Sequence, residues 1–290
     1  MRLTSKIVRA IAATAYLLAS LAFFGGPASA QGWPDRPVRI IMPYAPGGAG
    51  DAIARPWAEV LTKHFTQQFV VENRGGASGT IGVEAAVKSA PDGYTVLLTP
   101  NSAINVVTSL RKVSYDAATQ LQPVARVGDV IGGFVVHSSL GVKTMLELVA
   151  YAKNNPGKLT FGTPGPGTSV HLRAETLKLK AGIDFLIVHY RGSSDALNDL
   201  LPGNVHMMNE LVVFPHVKAG TLKLLAMSHT ERHWDFPDVP TLDEAGIKDA
   251  IVPIWFALWV QTLANLFLRN VPVRLPASIR DNRVRSASAA

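Results

Sequence analysis

Three stretches of the chain combine glycine with small or hydroxyl residues where an apolar run gives way to helical spacing. They are residues 45–51 (APGGAGD), 75–80 (GGASGT) and 163–168 (TPGPGT). A helix start leaves backbone N–H groups without partners. Glycine lets the backbone approach a ligand closely, and the helix dipole favours negative charge at that end. A carboxylate is the simplest ligand for such a junction. Ser78, Thr80, Thr163 and Thr168 add hydroxyl donors. Glycine is also what a tight strand-to-helix turn needs in any protein, so one loop of this kind is equally explained by the turn itself. Three at equivalent junctions point to a site. Beside them, His171 and Arg173 open a predicted helix, where His171 either reaches a ligand or packs locally. Tyr190 is placed to wall a pocket, and Arg191 to pair with an acid or with a nearby surface Asp.

Named catalytic and nucleotide motifs fail at these positions. Residues 162–168 lack the lysine of a phosphate-binding loop, and 47–51 lack G-x-G-x-x-G spacing. Residues 76–79 lack the G-x-S-x-G elbow of hydrolases. His229 and His233 stand four apart, but the glutamate between them is displaced from the H-E-x-x-H position. That stretch reads as solvated loop. The chain has no cysteine, which excludes disulfides, Cys-ligated metals and a thiol nucleophile. Neither a cofactor nor a metal site is predicted.

The elements that position these loops follow from hydrophobic pattern. Residues 38–43 (VRIIMP) read as a buried strand, 51–64 as a helix, 69–71 as a strand, 80–89 as a helix and 94–98 as a strand. The same grammar restarts near residue 132: strand 134–137, helix 144–154, strand 159–162, helix 170–181, strand 185–189, helix 194–201 and strand 205–208. A strand-like run at 222–227 and a short helix at 241–245 follow. Strand, glycine-rich turn, helix, strand implies α/β architecture with largely parallel sheets. Two such units, dividing near residue 130, imply two domains and a cleft between them.

The chain has 290 residues and a formal charge of +7, which invites a nucleic-acid partner. The charges sit in the wrong places for that. Arg2, Lys6 and Arg9 precede an apolar run at 10–24, then Pro27 and Ala28-Ser29-Ala30. This pattern predicts a secretory signal peptide cleaved after Ala30. Five arginines (269, 274, 280, 283, 285) and one acid, Asp281, fall after residue 268. The body between carries as many acids as bases. A second apolar run, 251–268, is interrupted by Pro253, Gln261, Thr262 and Asn265, so a buried strand near 255–260 is expected rather than a membrane span.

At these residues the sequence resembles the substrate-binding proteins of tripartite tricarboxylate transporters, the Bug family of periplasmic receptors. The matching words are WPDRPVRIIMPYAPGGAGDAIAR (33–55), VVENRGGASGTIG (70–82), APDGYTVLL (90–98), YAKNNPGKLTFGTPGPGTSVHL (151–172), HYRGSSDALNDLLPGNVHMM (189–208) and FPDVPTLDEAG (236–246). The resemblance implies a type II periplasmic-binding-protein fold: two α/β domains with an interdomain ligand cleft. Its domains would be 31–130 and 131–252, with a return to the first over 253–290. It implies two carboxylate-gripping loops, at Tyr44, Ala45, Pro46, Gly47 and Gly48 and at Thr163, Gly165, Gly167 and Thr168. Ser78, Asn101, Ser102, His171, Tyr190 and Asp195 complete the expected ligand-binding set. The implied function is capture of a di- or tricarboxylate, aromatic acid or acidic amino acid in the periplasm, without catalysis, for delivery to the membrane subunits of a transporter. A monomer is expected, with no nucleic-acid partner and no stable membrane insertion. Two other functions compete: a sensor module presenting the bound acid to a signalling partner, and a secreted serine hydrolase using Ser78 or Ser102.

Two departures from the family pattern stand out. Asn209-Glu210 replaces a common aromatic-Asp pair. The match also fades after Trp259-Val260, where QTLANLFLRNVPVRLPASIRDNRVRSASAA follows. That ending reads as the product of a frameshift or truncation, against the alternative of a divergent natural end.

Overall fold

The computed structural model of the chain describes residues 33–262, so the predicted leader and residues 263–290 lie outside the described part. Residues 33–35 carry no regular secondary structure, and one compact unit runs from Arg36 onward.

The chain opens with β1 (Val38–Met42), the glycine-rich loop and α1 (Ala49–Phe65). Next come β2 (Phe69–Asn73), α2 (Thr80–Val87), β3 (Thr95–Pro100), α3 (Asn101–Leu110), α4 (Ala117–Gln120) and β4 (Leu121–Asp129). The chain then builds β5 (Gly133–His137), α5 (Met145–Asn154), β6 (Thr160–Thr163), α6 (Ser169–Ala181), β7 (Leu186–His189), α7 (Ser193–Leu200), β8 (Met207–Glu210), α8 (Phe214–Lys218) and β9 (Leu222–Met227). It ends with β10 (Trp255–Gln261).

Two five-stranded sheets result, ordered β2-β1-β3-β10-β4 and β7-β6-β8-β5-β9. They share one plan. β1 pairs in parallel with β2 and β3, as β6 does with β7 and β8. The expectation of largely parallel sheets needs correction, because each sheet holds an antiparallel strand inside it. β10 runs antiparallel between β3 and β4, and β5 between β8 and β9. Each of these inserted strands is the first one built after the chain crosses from the other sheet: β5 begins the second sheet, and β10 returns to the first.

Central strands are buried on both faces, which is why they read as continuous apolar runs. Val38, Ile40, Ile41 and Met42 of β1 and every residue of β3 are buried. One core packs Ile41, Val83, Leu97, Ile104 and Leu121; a second packs Val135, Leu200, Met208 and Leu224. β4 escaped the sequence reading because it is an edge strand of mixed polarity containing Pro123, a residue edge strands tolerate. α3 escaped because its first residues, Asn101 and Ser102, read as a turn after Pro100. The helix predicted at 241–245 does not form. Thr241 and Glu244 bond each other reciprocally (2.8 and 3.2 Å), but Gly246, at φ 88°, turns the chain after one turn. The apolar run after 251 places β10 inside the first sheet, and no described helix is long and apolar enough to cross a membrane. His233 is buried against Phe214 (ring centroids 5.0 Å apart), so the stretch 229–233 is not simply solvated loop.

The crossings pass side by side, with the Val130 amide donating to the Ile254 carbonyl at 2.7 Å. Arg173 of α6 clamps both. Its Nε donates to the Val252 carbonyl (2.9 Å), and Nη2 to the carbonyls of Val130 and Ser228 (both 3.3 Å). Nη1 donates to Asn209 Oδ1 at 2.8 Å. The guanidinium is buried, and burial pulls it down to about 10, opposed by the Glu210 carboxyl.

Candidate functional site

The shared sheet plan brings corresponding loops together at the carboxyl ends of the strands, where open α/β sheets collect ligands. The β1–α1 loop faces the start of α7. Ser194 Oγ donates to the Pro46 carbonyl at 3.1 Å. A Cβ placed on Gly192 would stand 2.9 Å from Ala45 Cβ, so no larger residue fits this approach. Reciprocally, the β2–α2 loop faces the β6–α6 loop. A Cβ on Gly165, whose φ is 131°, would lie 2.9 Å from Ser78 Oγ. The starts of α3 and α6 also meet, through Ser169 Oγ and Asn101 Oδ1 at 3.2 Å.

In the first gripping loop, Gly48 is the N-cap of α1 and supplies no side-chain cap. The Gly47 amide is occupied by Asp51 Oδ2 at 3.2 Å, and that carboxylate also takes Arg55 Nε at 2.7 Å. Burial alone would raise the Asp51 carboxyl, but the Arg55 and Gly47 bonds hold it below its ordinary value. Tyr44 is buried with its hydroxyl donating to the Ser78 carbonyl at 3.3 Å, and burial pushes its phenol far up. Ser102 lies beside that phenol.

The loop around Ser78 is strained. Ala77 and Ser78 both adopt left-handed backbone (φ 49° and 57°), flanked by Gly76 and Gly79 at positive φ. Consecutive non-glycine residues in that region cost energy and cluster at functional sites. Ser78 Oγ is buried with no hydrogen-bond partner among the described residues, whereas the equally buried Ser102 Oγ stands against the Tyr44 hydroxyl and pulls its pKa down against the effect of burial. A buried unpaired hydroxyl is costly, and a ligand oxygen would satisfy it.

The second gripping loop spends its side chains on itself. Thr168 caps α6, accepting from the His171 amide (3.3 Å) and donating to the Gly165 carbonyl (2.7 Å). His171 Nδ1 accepts from the Gly167 amide at 3.0 Å. Thr163 Oγ1 accepts from the Gly165 amide (3.3 Å) and shares a hydrogen bond with His189 Nδ1 at 2.7 Å. The rings of His171 and His189 meet edge to face, centroids 4.9 Å apart. Burial, with His171 adjoining, holds His189 below its ordinary pKa. The Tyr190 hydroxyl turns to Asp199 Oδ2 at 2.6 Å, leaving its ring as a wall.

Under the α7 start lies the departure noted in the sequence. The Ser193 hydroxyl donates to Glu210 Oε1 at 2.6 Å. Glu210 is buried, which pushes its carboxyl up to about 7 against the pull of Ser193 and Arg173. Asn209 links Arg173 to Ser228, whose Oγ accepts from Nδ2 at 3.0 Å. The Asn-Glu pair thus ties the hinge clamp to the helix facing the first gripping loop.

A cavity of about 500 Å3 opens between the loops. Of the expected ligand-binding residues, Ser78, Gly165, Tyr190 and Asp195 line it. Tyr44, Ala45, Pro46, Gly47, Gly48, Asn101, Ser102, Thr163, Gly167, Thr168 and His171 are not on that lining. Sequence reasoning missed Arg111 and His189, which also line the cavity. His189 ends a strand in the position equivalent to Asn73, a signal available only once the two sheets are aligned. Arg111 follows the unrecognised helix α3. Among the described residues no cluster of three metal-ligating side chains occurs.

Comparison with known proteins follows the same lines. Residues 53–263 match the family described as the tripartite tricarboxylate transporter family receptor. The protein BugT of Bordetella pertussis is 37% identical over 236 residues, covering 80% of this chain and 72% of BugT. Among solved structures, the periplasmic binding protein BugD superposes with a TM-score of 0.76 at 31% identity, covering 82% of each chain. Rpa4515 of R. palustris, solved with adipate, superposes with the same score of 0.76 at 30% identity over 86% of this chain and 82% of that one. The fold is that of the periplasmic binding proteins, and the chain belongs to the tripartite tricarboxylate transporter receptor family, the Bug family of solute-binding proteins.

Proposed function

We propose that this receptor works in the periplasm, capturing a small carboxylate between its two sheets and presenting it to the membrane subunits of a tripartite transporter. The observation that carries this reading is the buried, unpaired hydroxyl of Ser78 on the lining of the cavity between the loops. A carboxylate takes two to four donors, and its negative charge gains about 0.3–1 kcal/mol at a helix N-terminus through the dipole. The two sheets act as two domains, 36–130 with β10 and 131–252, pivoting on the crossings held by Arg173. Binding without catalysis suits the site, because neither Ser78 nor Ser102 has a histidine within hydrogen-bond reach among the described residues. The predicted leader would direct export and its cleavage after Ala30 would free the translocated receptor, and the relative solved with adipate is consistent with an acid ligand.

Isothermal titration of the purified protein against di- and tricarboxylates, aromatic acids and acidic amino acids tests the reading. Saturable heat with at least one acid is expected. A folded protein that gives none with any of them sinks it.

A further inference from the structure

Glu210 ends β8 behind the start of α7, with its side chain buried. From α7 it meets the Ser193 hydroxyl, which donates to Oε1 at 2.6 Å. Ser193 in turn is seated against the β1–α1 loop of the other sheet. A Cβ on Gly48 would stand 3.5 Å from Ser193 Cβ and 3.7 Å from its nitrogen. From α6 the carboxyl feels the Arg173 guanidinium, and from the first sheet the Tyr44 phenol, whose ionisation it opposes. Its register partner on β5, Gly133, brings no charge. Arg173 commits its N–H groups to Asn209 and to the carbonyls of Val130, Ser228 and Val252, and no ion pair joins it to Glu210 among the described residues. An ionised Glu210 would therefore hold a buried charge on two donors, the Ser193 hydroxyl and the Leu211 amide. A buried charge without an ion pair is costly, and water is the remaining source of hydrogen bonds.

From this arrangement we infer that Glu210 is a proton-operated latch between the sheets. Protonated, it keeps the α7 start seated on the β1–α1 loop; deprotonated, it drives the two apart to reach water. The inference rests on the pivoting of the two sheets, but not on what they bind. Its direction follows from burial, which holds the carboxyl at about 7 while the loops touch, against 4.5 for a hydrated one. The contact is thus fully supported below pH 4.5 and loses that support as pH rises through about 7. Arg173 stays charged across this range, and Tyr44 stays neutral because burial pushes its phenol far up. Closure on a ligand would then take up a proton, and by reciprocity capture would tighten as the medium acidifies.

The test is small-angle scattering of the purified full protein, without added ligand, at pH 5.5 and pH 8.0. Glu210→Gln, checked for folding by circular dichroism, is measured beside it. The parent should show a larger radius of gyration at pH 8.0 than at pH 5.5. Glu210→Gln keeps the shape and cannot ionise, so it should stay compact at both. The comparison also removes the contributions of His189, His206 and His233, which titrate in parent and variant alike. Gly192→Val is a second arm that leaves Glu210 intact, because its added side chain props the same loops apart through Ala45. It should be open at both pH values. Parent dimensions that do not change with pH overturn the latch, as does either variant responding to pH as the parent does. Failure of every acid to bind counts against the receptor reading instead and leaves the latch standing.

Discussion

Ser169 Oγ donates to Asn101 Oδ1 at 3.2 Å, joining the first residue of α6 in one sheet to the first residue of α3 in the other. Two helix starts are thereby held face to face across the cleft. The Ser194–Pro46 and Ser78–Gly165 approaches repeat the pattern on either side. These contacts join the loops of the two sheets, and variants that disturb them should change binding more than folding.

Gly192→Val is the sharpest such variant. Gly192 has φ −170°, which any residue adopts, so a valine strains nothing locally. Its Cβ would overlap Ala45 Cβ only when the loops meet. Small-angle scattering should show a more open ligand-free protein, and affinity should fall about tenfold or more. Unchanged thermal stability with unchanged affinity would contradict the closing role of this contact.

Ser102→Ala removes a buried hydroxyl that stands against the Tyr44 phenol. Without ligand, stability should stay the same or rise slightly. With ligand, affinity should drop by about 1.5–3 kcal/mol, the value of a hydrogen bond to a charged group. Calorimetric melting of free and loaded protein separates these effects. A variant that is destabilised when free but binds normally would make Ser102 a structural residue.

Glu210 gives a pH prediction. Its folded pKa, about 7, lies above the ordinary 4.5 because of burial. A raised carboxyl contributes stability that is fully present below pH 4.5 and lost as pH rises through about 7. The linkage amounts to about 3 kcal/mol. His189, His206 and His233 have depressed pKa values from burial, so they act in the opposite sense near neutrality. The readout is therefore the difference between parent and Glu210→Gln. Urea melts at pH 5 and pH 8 should show the variant gaining stability relative to the parent at pH 8. No difference between the two pH values would remove Glu210 from the account.

Arg173→Met tests the hinge clamp. The substitution leaves the carbonyls of Val130, Val252 and Ser228 and the Asn209 amide without their donor. A loss of about 2–4 kcal/mol is expected from unsatisfied buried acceptors. Because Arg173 holds both crossings, hydrogen exchange at 130–132 and 252–254 should rise more than exchange in β1 or β6. Uniform acceleration everywhere would make the residue an ordinary core contact.

Much of this was legible in the sequence for a physical reason. Strands buried on both faces announce themselves as apolar runs, so β1, β3 and β6 were found by pattern alone, and so were the glycine-rich junctions after β1, β2 and β6. The edge strand β4, with Pro123 and an irregular mixture of buried and exposed residues, carried too weak a signal. β5 was found, but its antiparallel insertion was not, because strand direction depends on crossings that no local pattern records. At the site, sequence reasoning found residues on the loops and missed those arriving from elsewhere. Arg111 reaches the cavity only because α3 exists. Thr163, Thr168 and His171 have the right chemistry to grip a ligand, yet their side chains are committed to shaping the loop. That distinction is set by side-chain direction, which residue type does not encode.

The central claim is that an acid is held between the two sheets by the loops after β1, β2 and β6. A crystal structure of the protein with its tightest-binding acid tests it most directly. The account predicts a carboxylate within about 3 Å of Ser78 Oγ or Ser102 Oγ and of backbone amides in the gripping loops. An acid bound on the outer surface, with the Ser78 hydroxyl still unpaired, would contradict it.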